Sequence, residues 1–165
     1  MVPTSRANNE DAFPPIAARP PPPVRLSARR RAKMQGVAAN DVEQQHLGRV
    51  LVVEDERTIR LSIAGYLEDA GYTVDQAENG ADALDRLQHA TPDVIVLDLL
   101  MPVMGGRPFV AALRSDPRFG AVPVVLLSAA HDLPQAAEEL QPRASLAKPV
   151  DLDVLLAVVD RVART

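Results

Sequence analysis

Cysteine and tryptophan are absent from this 165-residue chain, and aromatic residues make up only 3% of it. Without cysteine the protein has no disulfide, no thiolate nucleophile and no cysteine-ligated metal, which fits a reducing compartment. Long apolar runs are also lacking: none approaches the roughly 20 residues that a membrane-spanning helix needs, and the first residues form no apolar signal core. We therefore expect a cytoplasmic protein without membrane insertion.

Residues 1–47 have the composition of a disordered, Pro/Arg-rich N-terminal extension. They hold seven of the fifteen prolines, including the run at 20–23, and seven Lys/Arg against four Asp/Glu. No helical or strand periodicity is sustained there. The basic run at 29–33 could contact nucleic acid or an anionic surface, and the proline run could dock in an aromatic groove. A solvated linker is the favoured interpretation, and Met34 is an alternative translation start.

From residue 48 onward, short apolar strands alternate with amphipathic helices. Strands are predicted at 50–53, 72–77, 94–97, 122–127 and 144–147. Helices follow each strand, with Asn79 as the N-cap of the second, Pro108 in the first turn of the third, and a short, weak fourth helix. This alternation predicts an α/β fold in which helices cover both faces of a five-stranded parallel sheet. The expected architecture is a flavodoxin-like (βα)5 three-layer sandwich with strand order 2-1-3-4-5.

Polar side chains stand where four of these strands end. The first strand runs into Glu54 and Asp55, the third ends in Asp98, the fourth in Ser128 and the fifth in Lys148. Parallel strands bring their carboxyl ends to one edge of a sheet, and neighbours lie about 4.8 Å apart, so the acids could share one divalent cation. Oxygen ligands favour a hard ion such as Mg²⁺. The set predicts phosphoryl transfer to a carboxylate, since a metal ion and an ammonium group offset the repulsion between two anions.

Four motifs together resemble the receiver domain of two-component response regulators, over about residues 48–165. They are VLVVEDE at 50–56, DLLMP at 98–102 with the glycine at 106, VVLLSAA at 124–130 and AKP at 147–149. The resemblance implies that a sensor histidine kinase or a histidine phosphotransfer protein phosphorylates Asp98. It also implies a protein that is not an enzyme in the usual sense, because it would catalyse only its own phosphoryl transfer and dephosphorylation.

The resemblance further implies a role for each polar residue. Asp55, Asp98 and the carbonyl of Leu100 would bind Mg²⁺, and Glu54 would act mainly through water. The remaining members of the set are Ser128 and Lys148, which would contact the phosphoryl group. The peptide bond between Lys148 and Pro149 is expected to be cis, although sequence alone favours trans.

Three features depart from the family pattern. Ser145 stands where receivers usually carry Tyr or Phe as a rotamer switch, and QPRAS replaces a Gly-Ala turn after a fourth helix that Pro134 interrupts early. We therefore predict that the face formed by helix 4, strand 5 and helix 5 is loose or binds an atypical partner. Leu100 and Ala130, two residues beyond Asp98 and Ser128, are apolar where a side chain could position hydrolytic water. This predicts a slowly decaying phosphoryl aspartate.

Output is expected through protein–protein contact, because the chain ends with the fifth helix and residues 48–165 carry eleven Lys/Arg against eighteen Asp/Glu, which makes a nucleic-acid surface unlikely. A single-domain regulator or phosphorelay intermediate, acting on an unknown downstream protein, is the first hypothesis. The alternative is a degenerate receiver-like binding module that does not switch by phosphorylation. A Mg²⁺-dependent hydrolase with an aspartyl nucleophile is disfavoured, since Leu100 cannot serve as its proton donor.

Overall fold

The computed structural model describes residues 46–164, in which five strands and five helices alternate. They are β1 (Arg49–Val53), α1 (Arg57–Ala70), β2 (Thr73–Ala77), α2 (Gly80–His89), β3 (Val94–Asp98), α3 (Gly106–Ser115), β4 (Val124–Ala129), α4 (Leu133–Leu140), β5 (Ala144–Lys148) and α5 (Leu152–Ala163). Every element expected from the apolar pattern is present. The predicted α/β fold is therefore confirmed.

All five strands pair in parallel, in the order β2-β1-β3-β4-β5. This is the order that the sequence predicts, and it places β1 and β3 side by side at the topological switch point. Asp98, the last residue of β3, is level with Leu127 of β4, so Ser128 lies one residue beyond it. Ala129 in turn is level with Lys148 of β5. The register thus brings the polar strand ends to one edge.

Two apolar layers hold the sheet between its helices. β3 is buried along its whole length because side chains cover both of its faces. One layer packs α2, α3 and α4 against the sheet around Phe109 and Leu113. The other packs α1 and α5 through Ile63, Leu67 and Leu155. Full burial of each such side chain stabilises the fold by about 1.5–3 kcal/mol, so the two layers rigidly fix the strand ends.

Local signals begin and end several helices. The side chain of Asn79 accepts hydrogen bonds from the amides of Ala81 and Asp82 at 2.9 and 3.0 Å, which confirms it as the N-cap of α2. Gly71 ends α1 with φ of 110°, a left-handed conformation that glycine adopts without strain. Asp151 caps α5 in the way that Asn79 caps α2. The two N-caps mark where the loops after β2 and β5 end.

Two expectations about element boundaries were wrong. β4 begins at Val124 rather than at residue 122, because Val122 closes a turn onto the carbonyl of Phe119 and Pro123 has no amide hydrogen for the ladder. Pro134 does not interrupt α4: it lies in the first turn, where the missing amide hydrogen costs nothing. The helix is nevertheless short, at eight residues.

The proposed N-terminal extension lies outside the described residues except for His46 and Leu47. The amide of Leu47 donates to the carbonyl of Gly71 at 3.2 Å, just before β2. Among the described residues, no helix is both long and apolar enough to cross a membrane. The described chain therefore starts beside the amino end of β2, at the opposite edge of the sheet from the polar strand ends.

Candidate functional site

Three carboxylates meet at the carboxyl edge of the sheet. Glu54 and Asp55 follow β1, and Asp98 ends the neighbouring strand β3. One oxygen from each carboxylate lies within 4.8 Å of the others. Glu54 and Asp98 are buried, whereas Asp55 is exposed, so the cluster opens to solvent on one side. The predicted convergence of the three acids is therefore present in the structure.

Lys148 reaches the same cluster from the end of β5. Its Nζ lies 2.8 Å from Oε2 of Glu54 and 3.0 Å from Oδ2 of Asp98. The lysine must span β4 to do so, which its long side chain allows. The Lys148–Pro149 peptide bond is cis, as the family resemblance implies. The contact with Glu54 was not predicted, since nothing in the sequence shows where a flexible side chain ends.

Burial and charge act differently on the two members of this ion pair. Burial raises the pKa of Glu54, and the nearby charge of Asp98 raises it further, while the hydrogen bond from Lys148 opposes both effects. Burial alone would lower the pKa of Lys148, but its hydrogen bonds to Glu54 and Asp98 outweigh burial and raise it. Lys148 has two anionic partners and Glu54 has one cation, so the lysine stays charged.

Ser128 and Leu100 complete the surroundings of Asp98. The Ser128 hydroxyl is buried, and within the described part of the chain it has no hydrogen-bond partner. Such an unpaired hydroxyl is costly unless something binds it. The amide of Leu100 lies 3.4 Å from Oδ1 of Asp98, while the Leu100 side chain is 63% exposed. The peptide after Asp98 thus curls back toward the carboxylate and turns its side chain to solvent.

The loop after β3 contains a strained residue and a tight contact with α2. Val103 has φ of 65°, which is unusual for a β-branched residue, and its side chain is 88% exposed. The carbonyl of Met104 accepts a hydrogen bond from the amide of Gly80 at 2.8 Å. The loop that follows Asp98 is therefore tied to the start of α2.

The aromatic residue that the resemblance predicts in β5 is absent from that strand. Ser145 lies in the edge strand β5 with its side chain exposed, and Ala147 beside the site is exposed as well. No aromatic ring of β5 can therefore follow a movement of the Ser128 hydroxyl. The departure noted in the sequence is a real difference in side-chain chemistry at this face.

One further residue contacts the acidic loop. The guanidinium of Arg60, in the first turn of α1, donates from one nitrogen to the carbonyl of Glu54 at 2.5 Å and to that of Asp55 at 3.2 Å. This arginine lies outside the sequence motifs that predict the site. Its signal would have been a cation in the first turn of a helix, where cations are unfavourable.

Known proteins with similar sequences identify the family of this chain. The family described as the response regulator receiver domain matches residues 50–160. This chain belongs to that family. Response regulator Rre1 of Synechocystis sp. is 40% identical over 113 residues, which cover 67% of this chain and 49% of that protein. Protein Rrf1 of Nitratidesulfovibrio vulgaris is 37% identical over 119 residues, 71% of this chain and 83% of that protein.

Solved structures agree with the receiver assignment. The structure of chemotaxis response regulator CheY4 of Vibrio cholerae has a TM-score of 0.64 and 35% identity, and covers 69% of this chain and 97% of that chain. The structure of a putative response regulator from Chloroflexus aurantiacus has a TM-score of 0.67 and 28% identity. The match covers 72% of this chain and 98% of that chain. The match spans about half of Rre1 and 24% of the transcriptional regulator NtrC of Escherichia coli. The chain thus spans only part of the length of those two proteins.

The residues at the receiver site suit a hard divalent cation. Three carboxylates converge there against the single ammonium group of Lys148, which leaves an excess of negative charge. All their donor atoms are oxygens, and Mg²⁺ is held in proteins by few carboxylates together with water. Glu54, Asp55 and Asp98 could therefore hold Mg²⁺, which would neutralise charge on a transferring phosphoryl group.

Proposed function

We propose that this receiver domain accepts a phosphoryl group on Asp98 from a phosphohistidine of a sensor histidine kinase or a histidine phosphotransfer protein. In this reaction the P–N bond of the donor breaks, and a P–O bond forms to a carboxylate oxygen of Asp98. The proton needed by the departing imidazole comes from the donor side or from water. The observation that carries the proposal is the convergence of Glu54, Asp55 and Lys148 on the Asp98 carboxylate.

Each neighbour of Asp98 has a proposed role in this step. We assign the metal to Asp55, Asp98 and the Leu100 carbonyl, with Glu54 acting mainly through water. The Lys148 ammonium, 3.0 Å from Asp98, offsets negative charge as the anionic donor approaches. The buried Ser128 hydroxyl is free to donate to a phosphoryl oxygen.

We further propose that the phosphorylated domain acts by contact with a downstream protein, as a single-domain regulator or a phosphorelay intermediate. A receiver turns over its own phosphoryl group and has no other substrate. The acidic balance of residues 48–165 disfavours nucleic acid as the partner.

Intact-mass measurement tests the proposal. The full chain is incubated with Mg²⁺ and acetyl phosphate, and the mass should rise by one phosphoryl group. Asp98→Asn removes the acceptor oxygen and should show no adduct, while Asp55→Asn keeps Asp98 and should be phosphorylated only slowly. Absence of an adduct in the parent protein contradicts the proposal. Release of phosphate over many turnovers from ordinary phosphomonoesters, without an accumulated adduct, would instead indicate a hydrolase.

A second candidate function rests on Ser145. Because this exposed residue replaces the aromatic relay, the domain could be a receiver-like binding module that does not switch. Such a module would bind its partner equally with and without acetyl phosphate, and would show neither adduct nor Mg²⁺ binding. The retained acids, Ser128 and Lys148 favour the phosphoryl acceptor over this alternative.

A further inference from the structure

The loop that carries Glu54 and Asp55 has few internal supports. It connects β1 to α1, and the N-cap residue of α1, Glu56, makes no side-chain capping hydrogen bond. The Glu56 amide instead donates to Oε1 of Glu54 over a long 3.3 Å. The two carboxylates that converge on Asp98 therefore belong to a short loop that lacks the usual side-chain cap of the following helix.

Arg60 supplies the missing support. Its guanidinium, half-buried one helical turn along α1, bridges two consecutive carbonyls of the loop, those of Glu54 and Asp55. Each carbonyl belongs to the residue whose carboxylate faces Asp98. A rigid planar donor that joins both peptides fixes their relative orientation, and through it the directions of the two side chains.

Arg60 does not stabilise α1 through its charge. The amino end of a helix carries partial positive charge, so cations in the first turn are unfavourable and acids are favoured. The first turn of α1 contains Arg57 and Arg60 and no acid. Arg57 is exposed and, among the described residues, makes no side-chain hydrogen bond or ion pair. Arg60 alone of the two has the carbonyl contacts that compensate its position.

We propose that Arg60 is a positioning residue of the receiver site, which orients the Glu54 and Asp55 carboxylates for Mg²⁺ by bridging the carbonyls of the same two residues. It does not touch the metal or the phosphoryl group. The inference rests on the proposed function, but it concerns metal affinity and is tested without phosphorylation. Groups that orient metal ligands in this way commonly contribute about 10–100-fold to affinity.

The test is a Mg²⁺ titration of the full chain, followed by the amide NMR shifts of residues around Asp98. Arg60→Met keeps an unbranched apolar stem and removes the guanidinium donors; we expect half-saturation at about tenfold higher Mg²⁺. Arg60→Lys keeps the charge on a shorter side chain without the planar guanidinium, so it should hold the two carbonyls less firmly and bind Mg²⁺ several-fold more weakly. Parent-like affinity in either folded variant overturns the proposal.

Arg57→Met is the matched control, because it removes the same charge from the same helical turn without a carbonyl contact. Loss of a nearby cation by itself strengthens Mg²⁺ binding, so this variant should bind as tightly as the parent or more tightly. Equal weakening in Arg57→Met and Arg60→Met would overturn the positioning role. If Arg60→Met does not fold, Arg60→Lys decides.

The acetyl phosphate reaction separates this inference from the proposed function. At saturating Mg²⁺, Arg60→Met should be phosphorylated within about twofold of the parent rate, since the metal requirement changes and the chemistry does not. A rate that stays low at saturation contradicts a purely positioning role. If the parent itself forms no adduct, the proposed function fails, while the Mg²⁺ titration still decides the role of Arg60.

Discussion

Lys148 is shared between two carboxylates, and this sharing limits what each can do. The carboxylate of Glu54 is deeply buried, and Lys148 is its only cationic partner among the described residues. Asp98 competes for the same ammonium group. A phosphoryl group on Asp98 would draw Lys148 toward its oxygens, so the Glu54 contact should weaken upon phosphorylation. Lys148 offsets part of the negative charge of the resting site, and its contacts should change when Asp98 is phosphorylated.

Leu100 should prolong the life of the phosphoryl aspartate. Its side chain is exposed beside Asp98 and cannot hydrogen-bond an attacking water molecule. We expect Leu100→Asn to shorten the lifetime several-fold, as measured by the loss of the phosphorylated mass after the donor is removed. Val103→Asn introduces the same amide at a more exposed position of the same loop; it is the control and should leave the lifetime unchanged. No difference between parent and Leu100→Asn contradicts this explanation.

Tyr72 should make folding stability depend on alkaline pH. Burial and the 2.5 Å hydrogen bond to Asp160 raise its pKa above the usual value of about 10. Near pH 10 and above, the unfolded chain loses this proton while the folded one keeps it. Stability from Tyr72 is therefore complete below pH 10 and falls by up to about 1.4 kcal/mol per pH unit above it.

The Tyr72→Phe variant tests this dependence by chemical unfolding from pH 7 to 11. At neutral pH it should lose about 1.5–3 kcal/mol of unfolding free energy, the usual contribution of a hydrogen bond to a charged group. The difference from the parent should shrink above pH 10. A gap that is constant or widens with pH would show that the ionisation of Tyr72 does not contribute.

Among the elements, α4 is the most weakly attached helix. Ala136 is its only buried side chain, whereas α5 buries Leu155, Val159 and Val162. Its C-cap is Gln141 with φ of 45°, where glycine would avoid a cost of about 1–2 kcal/mol. The looseness proposed for the face of α4, β5 and α5 thus has a structural basis at α4.

Hydrogen exchange should report this difference between helices. We expect the amides of α4 to exchange at least tenfold faster than those in the centre of α5, because local opening exposes little apolar surface. Gln141→Gly should slow exchange in α4 and leave α5 unchanged. Equal protection of the two helices in the parent would contradict a loose face.

Two helical glycines should respond in opposite ways to alanine. A Cβ on Gly65, in α1, would meet nothing within 4 Å, so Gly65→Ala should raise the unfolding free energy by about 0.5–1 kcal/mol. A Cβ on Gly80 would lie 2.7 Å from Cγ of Met104 and 2.9 Å from Cβ of Phe109. Gly80→Ala should therefore destabilise the domain, and thermal unfolding of both variants measures the contrast. Stabilisation by Gly80→Ala would contradict the close contact between α2 and the Asp98 loop.

The elements were predictable because apolar periodicity and caps are local. The face of α1 that Ile63 and Leu67 define, and the Asn79 cap, can be read from neighbouring residues alone. The start of β4 could not be predicted in this way, because Val122 and Val124 are equally apolar. Only the turn that Val122 closes onto Phe119 shows that Val122 lies outside the strand. The left-handed Val103 and Gln141 were also missed, because neither residue type favours that conformation.

On the scale of the whole molecule, the order of the strands explains why the site was predictable. Once β1 and β3 are neighbours, the acids after them must meet, whatever their side-chain conformations. The bond from Lys148 to Glu54 and the bridge made by Arg60 depend on how flexible side chains settle, which no sequence motif specifies. The strand order can thus be predicted from the sequence, whereas these side-chain contacts cannot.

Residues 1–45 should contribute little to the folded domain. The family match begins at residue 50, and every helix and strand of the described residues lies after residue 48. A variant that begins at His46 should keep the unfolding free energy and the acetyl phosphate rate of the full chain. Urea unfolding and intact mass check both. Clear destabilisation upon truncation would show that the extension packs on the domain.

Both tyrosines of the chain bind carboxylates on the same helix: Tyr66 donates to Asp153 and Tyr72 to Asp160, both on α5. The chain has no tryptophan, so these two rings are its only strong intrinsic fluorophores. A carboxylate that accepts the phenol proton quenches tyrosine emission. Departure of α5 from the sheet would therefore brighten the protein, which gives an unlabelled optical signal for the seating of that helix when a partner binds.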